Sequence, residues 1–130
     1  MDSVQLRVRD PLTDALLNEL FAAAWADHRA TRFGPVLERS LTWVSAWRGE
    51  RLVGFVNVAT DGGVHAFLLD ITVHPDERRQ GLGRRLVRAA AEEATRAGAD
   101  WLHVDFEPHL AGFYRDCGFT PTAAGLWRLR

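Results

Sequence analysis

The chain of 130 residues has no lysine, one cysteine, one tyrosine and one methionine. The single cysteine, Cys117, excludes an intrachain disulfide and fits a reducing compartment. Because thiols are scarce and the histidines lack the spacing of a ligand set, we expect no metal site. The absence of lysine excludes a nucleotide-binding loop that ends in Gly-Lys-Ser/Thr.

Long apolar runs and an excess of one charge are also missing. No stretch approaches the roughly 18 residues of a membrane span, and the N-terminus lacks the basic and apolar pattern of a signal peptide. The net charge of −1 provides no general attraction to nucleic acid or to an anionic membrane. We therefore expect one cytoplasmic domain, residues 1–130, with no nucleic-acid or membrane partner. The use of arginine as the only strongly basic residue, with abundant alanine, suggests a GC-rich bacterial genome.

Hydrophobic periodicity predicts a mixed α/β fold with the order β-α-α-β-β-β-α-β-α-β-β. The predicted strands are 4–9, 41–47, 51–59, 65–73, 101–106 and two further strands within 118–129. The predicted helices are 12–28, 35–41, 83–97 and 108–116. Early antiparallel strands followed by a β-α-β crossover indicate a twisted, mostly antiparallel sheet with helices on both faces.

The most informative segment is Arg78-Arg79-Gln80-Gly81-Leu82-Gly83-Arg84-Arg85, which lies between a predicted strand and a predicted helix. Glycines let the backbone approach an anion, and the first N–H groups of a helix point toward one. The nearby arginines add charge and bidentate hydrogen bonds. This arrangement favours binding of a small phosphate-bearing ligand, although a basic turn without a ligand has the same composition.

Two motifs together resemble a known superfamily. The pattern R-x-x-G-x-G on Arg78, Gly81 and Gly83 resembles the acetyl-coenzyme A pyrophosphate loop of the GNAT N-acetyltransferases. Downstream, the segment 112–119 contains Phe113-Tyr114 and Gly118-Phe119 and resembles the F-Y-x-x-x-G-F signature of the same superfamily. The dinucleotide fingerprint G-x-G-x-x-G does not fit, because position 86 is leucine.

The resemblance implies the GNAT fold and an acyltransferase (EC 2.3.1.-) that uses acetyl-coenzyme A as cosubstrate. The acetyl group would pass to a primary amine of a small molecule or protein by direct attack in a ternary complex. A homodimer is left open, and a non-catalytic coenzyme-binding sensor on the same fold is the alternative. The residues predicted to bind the coenzyme are Ile71, Thr72, Val73, Arg78, Arg79, Gln80, Gly81, Leu82, Gly83, Arg84 and Tyr114.

Tyr114 falls on the tyrosine of the family motif and is the candidate general acid. A phenol at this position can protonate the departing thiolate or orient the sulfur. The alternative is a packed aromatic side chain on an amphipathic helix.

Two carboxylates compete as the base that deprotonates the amine. Asp70 interrupts an apolar strand, and strict alternation would place it on one face with Leu68 and Thr72, opposite Leu69. We predict that Asp70 is buried, which would raise its pKa toward the working pH; a structural partner for an arginine is the alternative. Glu107 stands where the resemblance implies an asparagine that binds the pantetheine arm, so it is free to act as a base or as a charge at a helix N-terminus. Because the dipole of that helix would lower its pKa, we assign Glu107 to positioning.

Other polar and aromatic residues carry weaker hypotheses. Trp25 and residues 28–33 line the acceptor site in one interpretation and form a mobile surface loop in the other. His103 with Asp105 could form a proton relay, but polar alternation on an exposed strand explains the pair equally well.

Overall fold

A five-stranded sheet forms the centre of the computed structural model, which describes residues 3–130. The strands follow one another across the sheet in chain order; the first four are antiparallel, and the fifth is parallel to the fourth. The elements are β1 (Val4–Val8), α1 (Asp14–Ala24), α2 (Gly34–Arg39), β2 (Ser40–Arg48), β3 (Arg51–Thr60), β4 (His65–Val73), α3 (Leu82–Arg96), β5 (Trp101–Val104) and α4 (Ala111–Cys117). The mixed α/β fold class is therefore confirmed.

Helix α3 makes the crossover between the parallel strands β4 and β5. Its apolar residues recur at helical spacing, so one stripe is buried against the sheet, with Leu86 and Ala90 fully inaccessible to solvent. The C-cap of α3 is Ala97, and Gly98 follows it with a φ of 100°, the left-handed conformation that commonly ends a helix. The α3 side of the sheet holds the larger hydrophobic core.

On the opposite face, helix α1 lies over β3 and β4, and helix α2 lies over β2 and β3. The Thr13 hydroxyl accepts a hydrogen bond from the backbone N–H of Leu16 (3.2 Å) and so caps α1. Leu17 and Leu20 pack with Phe55 of β3 in a second core. Helix α1 ends at Ala24, four residues before the predicted end, and helices lie on both faces of the sheet as expected.

The predicted strands within residues 118–129 are wrong. After Cys117 the chain contains no helix or strand, and Leu126, Trp127 and Leu129 are each at least 80% exposed. A strand exists only through hydrogen bonds to a neighbouring strand, and across residues 3–130 no segment pairs with the outer edge of β5. The apolar residues of this tail therefore do not suffice to make a strand.

Candidate functional site

Strands β4 and β5 are paired at one end and separate at the other. Their parallel register runs from His65 opposite Trp101 to Leu68 opposite Val104, while β4 continues to Val73. Along residues 69–73, β4 thus borders an opening instead of a paired strand. This opening is the structural centre of the candidate site.

A bulge lies in β4 where the two strands separate. Asp70 has a φ of 56°, in the left-handed region that few residues other than glycine adopt, and the register between β3 and β4 shifts between Phe55 and Asn57. Strained backbone of this kind is concentrated at functional sites.

The bulge corrects the predicted assignment of side chains to faces. Leu68 packs in the core beside α3, whereas the Thr72 hydroxyl accepts a hydrogen bond from Trp25 Nε1 (3.4 Å), at the end of α1 on the opposite face. The prediction that Leu68 and Thr72 share a face with Asp70 is therefore wrong. Strict alternation fails because the left-handed residue inserts an extra step into the strand.

Asp70 is exposed, so the prediction that it is buried is also wrong. One side of its carboxyl is open to solvent, but the neighbouring protein still desolvates the group and raises its pKa above the usual aspartate range. The backbone carbonyl of Asp70 accepts a hydrogen bond from the Thr72 hydroxyl (3.0 Å). Its carboxylate bonds to no group within residues 3–130, so it is available to a ligand.

The glycine- and arginine-rich segment forms the turn that leads into α3. Gly81 precedes the first residue of the helix and has a φ of 77°, and Arg79 is also left-handed with a φ of 64°. The first N–H groups of α3, beginning at Leu82, have no carbonyl partner within the helix. Arg78, Arg79 and Arg84 are exposed around this turn, whereas Arg85 reaches the backbone carbonyl of Val4 (3.2 Å).

A buried ion pair anchors the start of this turn. Glu77 is 5% exposed, and both of its carboxylate oxygens accept hydrogen bonds from the Arg48 guanidinium at 2.8 Å. These hydrogen bonds hold the pKa of Glu77 below its usual value. Sequence reasoning missed this pair, because its members lie 29 residues apart and no local pattern connects them.

A cavity of about 480 Å³ joins the end of β4, the turn and helix α4. Among its lining residues are Ile71, Val73, Gly83 and Tyr114. A Cβ atom on Gly83 would lie 3.3 Å from the Phe113 ring, so any other residue there requires that ring to shift by a few tenths of an ångström. The further lining residues are Glu77, Arg78, Arg79, Gly81, Leu82, Arg84, Leu110, Phe113 and Asp116.

Tyr114 lies in this cavity wall among aromatic rings. Its ring stacks on Phe106 with centroids 4.8 Å apart and meets Phe113 edge-on at 4.9 Å. Burial, with a smaller contribution from Cys117, raises the pKa of its phenol above the usual value. The hydroxyl has no hydrogen-bond partner within the described part of the chain, so the side chain is packed and its polar atom is still available.

The remaining candidates lie on β5 and on the segment that follows it. Glu107 is exposed and precedes a short 3₁₀ turn, Pro108–Leu110, that leads into α4; its side chain does not cap that turn. His103 is hydrogen-bonded to His65 (2.8 Å), so the structure pairs it with a histidine and shows no His103–Asp105 bond. Residues 3–130 contain no cluster of three or more potential metal ligands.

A second cavity, of about 650 Å³, lies between α1 and the turn joining β2 to β3. It is the larger of the two but lacks the glycine turn and Tyr114; its lining includes Leu16, Glu19, Arg51 and His74. None of the helices formed by residues 3–130 combines the length and apolar character needed to cross a membrane.

Comparison with known proteins identifies the family. Residues 11–119 match the model of the acetyltransferase (GNAT) family. The chain is 34% identical over 118 residues to glucosamine 6-phosphate N-acetyltransferase 1 of Oryza sativa, covering 88% of this chain and 68% of that protein. It is 31% identical over 119 residues to the mycothiol acetyltransferase of Thermomonospora curvata, covering 85% of this chain and 40% of that protein. It also spans less than half the length of other curated N-acetyltransferases that it matches.

The fold agrees with solved structures of acetyltransferases. An aminoglycoside N-acetyltransferase determined in complex with CoA superposes with a TM-score of 0.78 at 17% sequence identity, covering all of this chain and 96% of the other. At this identity, the likeness establishes the fold alone.

Proposed function

Because the chain belongs to the GNAT acetyltransferase family and is an acyltransferase, we propose that it transfers the acetyl group of acetyl-coenzyme A to a primary amine. The proposal rests on one observation. The same cavity is lined by the glycine turn, by the part of β4 that does not pair with β5 and by Tyr114, whose hydroxyl has no partner in residues 3–130. The coenzyme supplies an acetyl thioester and leaves as a thiol.

The glycine turn suits the coenzyme pyrophosphate. Backbone N–H groups of Gln80 to Arg84 would hydrogen-bond the phosphates, helped by the positive end of the α3 dipole. Arg78 and Arg79 would supply countercharge from the exposed side of the turn. The absence of side chains at Gly81 and Gly83 leaves room for phosphate oxygens to approach the backbone.

The end of β4 that does not pair with β5 suits the pantetheine arm. Residues Ile71, Thr72 and Val73 follow the bulge, along the part of β4 that does not pair with β5. Their backbone groups on that side would bond the amides of the arm as a neighbouring strand would. Ile71 and Val73 also line the cavity that contains the glycine turn.

Tyr114 would act as the general acid. As the amine nitrogen bonds to the acetyl carbon and the carbon–sulfur bond breaks, the phenol would donate its proton to the departing sulfur and later regain one from water. A pKa raised by burial keeps the phenol protonated at neutral pH, which the role requires.

Asp70 would accept the proton that the amine must lose. Its raised pKa brings it closer to the range in which a carboxylate serves as a base, and its carboxylate is exposed beside the bulge. Glu107, exposed where the chain leaves β5, would position the amine. The proton passes to Asp70 directly or through one water molecule and then to solvent.

The test is release of coenzyme A thiol from acetyl-coenzyme A, measured with and without a panel of primary amines. We expect amine-dependent thiol release with matching formation of the acetylated amine, and calorimetric binding of coenzyme A to the parent protein. Binding of the coenzyme with no amine-dependent release would contradict the proposed transfer.

A further inference from the structure

One side of β4 and β5 forms an uncovered surface, here called the open sheet face. It consists of His65, Phe67 and Leu69 of β4 with Trp101 and His103 of β5. This side of the sheet also carries α1 and α2, because Leu68, Leu102 and Val104 point to the α3 core. Helix α1 contacts β4 as well as β3, and Trp25 at its end bonds Thr72 of β4. Phe67, Leu69 and Trp101 are 36%, 43% and 65% exposed.

Contacts between neighbouring rings hold the side chains of His65, Phe67 and His103 in place. His103 stacks on Phe67, with centroids 4.7 Å apart and planes 23° apart. The other side of His103 is fixed by the 2.8 Å hydrogen bond between its Nε2 and His65 Nδ1. An exposed and contiguous apolar surface of this kind is typical of a binding surface.

The face leads directly to the proposed reaction centre. Leu69 immediately precedes Asp70, and Phe67 lies two residues earlier on the same face, about 7 Å away at the rise of a strand. Trp25, which is 49% exposed, stands beside this end and is held by its hydrogen bond to Thr72. The part of a ligand that extends away from Asp70 would therefore contact apolar side chains.

Negative charge is concentrated at the same end. Asp70 follows Leu69, and the exposed carboxylates Asp105 and Glu107 follow His103 at alternating positions. An ammonium group complements these carboxylates, whereas a phosphate or a second carboxylate would be repelled by them.

Building on the proposed function, we propose that the acceptor is a primary amine carried by an aromatic group on a short linker. The ammonium end meets Asp70 and Glu107, loses its proton there and attacks. The ring lies on Leu69 and Phe67, with Trp25 beside it. A polyhydroxylated amino sugar would instead place its hydroxyl groups on an apolar surface that cannot bond them.

The test compares kcat/KM for 2-phenylethylamine with that for ethylamine, with glucosamine 6-phosphate and spermidine as polar competitors. We expect 2-phenylethylamine to exceed each of the others by at least tenfold. In Leu69→Ser and Phe67→Ser the ratio of 2-phenylethylamine to ethylamine falls at least threefold. Leu126→Ser makes the same chemical change at an exposed site outside the face and keeps the parent ratio.

Several outcomes separate this inference from the proposed function. Preference for a polar amine, or an unchanged ratio in both Leu69→Ser and Phe67→Ser, overturns the aromatic acceptor while acetyl transfer stands. Coenzyme binding with no transfer of the acetyl group to any amine, and hence no amine-dependent release of thiol, overturns both. Circular dichroism and coenzyme A calorimetry on each variant establish that the fold and the coenzyme site are intact.

Discussion

The two halves of the sheet differ in how completely their strands are paired. β2 and β3 have a neighbour on each side and are mostly buried, with Phe55 and Val56 at 1% exposure or less. β4 and β5 pair over four residues and then separate at a residue with positive φ. The first pair provides rigidity, and the second leaves backbone and side-chain groups available for a ligand.

Polar groups in the two halves differ in a related way. In the paired half, the buried Asn57 accepts a hydrogen bond from the Ser40 hydroxyl and the buried Ser45 accepts one from Trp47 Nε1, whereas the hydroxyl of Thr42 is enclosed without a partner in residues 3–130. In the open half, the Asp70 carboxylate and the Tyr114 hydroxyl have no partner within residues 3–130. Chemistry is therefore expected where regular pairing ends, and changes in the two halves should separate activity from stability.

The largest effect is expected from removing one oxygen in the open half. Tyr114→Phe keeps the ring stack on Phe106 but deletes the acid, so turnover at saturating coenzyme should fall by about 10² to 10⁴. Coenzyme A affinity, measured by calorimetry, should change by less than threefold. Turnover within about twofold of the parent would make Tyr114 a packing residue and leave the thiolate to depart unassisted.

A core substitution in the paired half should have the opposite signature. Phe55→Ala removes a ring that is 1% exposed and contacts Phe21, so the free energy of unfolding should fall by about 3–5 kcal/mol. Denaturant unfolding gives this value, and kcat/KM of the fraction that remains folded should stay within about threefold. A selective loss of kcat in fully folded protein would mean that the two halves are not separable.

Gly83→Val should weaken coenzyme A binding by at least tenfold, or about 1.4 kcal/mol. The added side chain blocks the backbone of the turn and meets the Phe113 ring, which is 3.3 Å from an ideal Cβ. Gly125→Val is the matched control, because an added Cβ there contacts nothing within 4 Å. Parent-like affinity in folded Gly83→Val would remove the turn from the coenzyme site.

Asp70→Asn should produce the smallest change in stability and a clear change in how stability and turnover depend on pH. The raised pKa means that the folded chain binds this proton more tightly than the unfolded chain. The associated stability is present at low pH and is lost as the pH rises from the usual aspartate range through the raised pKa. At neutral pH, asparagine removes the desolvated charge and tolerates positive φ. The free energy of unfolding should therefore rise by about a few tenths of a kcal/mol.

The same variant should lose the ascending limb of the pH–rate profile, with Asp100→Asn as an exposed control that keeps it. Glu107→Gln should lower kcat/KM and retain the limb. Persistence of the limb in Asp70→Asn would assign it to titration of the amine itself.

Local sequence predicted the elements that depend on local patterns. The bounds of β4 were predicted as observed, because Asp61-Gly62-Gly63 and His74-Pro75 interrupt the apolar pattern on each side. The glycine turn and the helix after it were predicted from two glycines placed between a strand pattern and a helical pattern. Thr13 caps α1 and Gly98 follows the cap of α3, as is typical of threonine at a helix start and of glycine just past a helix end.

Features that depend on distant partners could not be read in this way. Alternation grouped Leu68, Asp70 and Thr72 on one face because it assumes an unbroken strand, and the bulge arises from the register between β3 and β4. The Arg48–Glu77 pair joins a hairpin to the start of the turn across the fold. The tail within 118–129 was predicted to form strands, but no strand in residues 3–130 pairs with it.

The most direct test of the account is amide hydrogen exchange with and without coenzyme A. We predict that the coenzyme slows exchange at Ile71 to Val73 and at Gln80 to Arg84, with little change in β1 and β2. Protection confined to Leu16, Glu19 and the residues around Arg51, which line the larger cavity, would contradict the assignment of the site to the open half of the sheet.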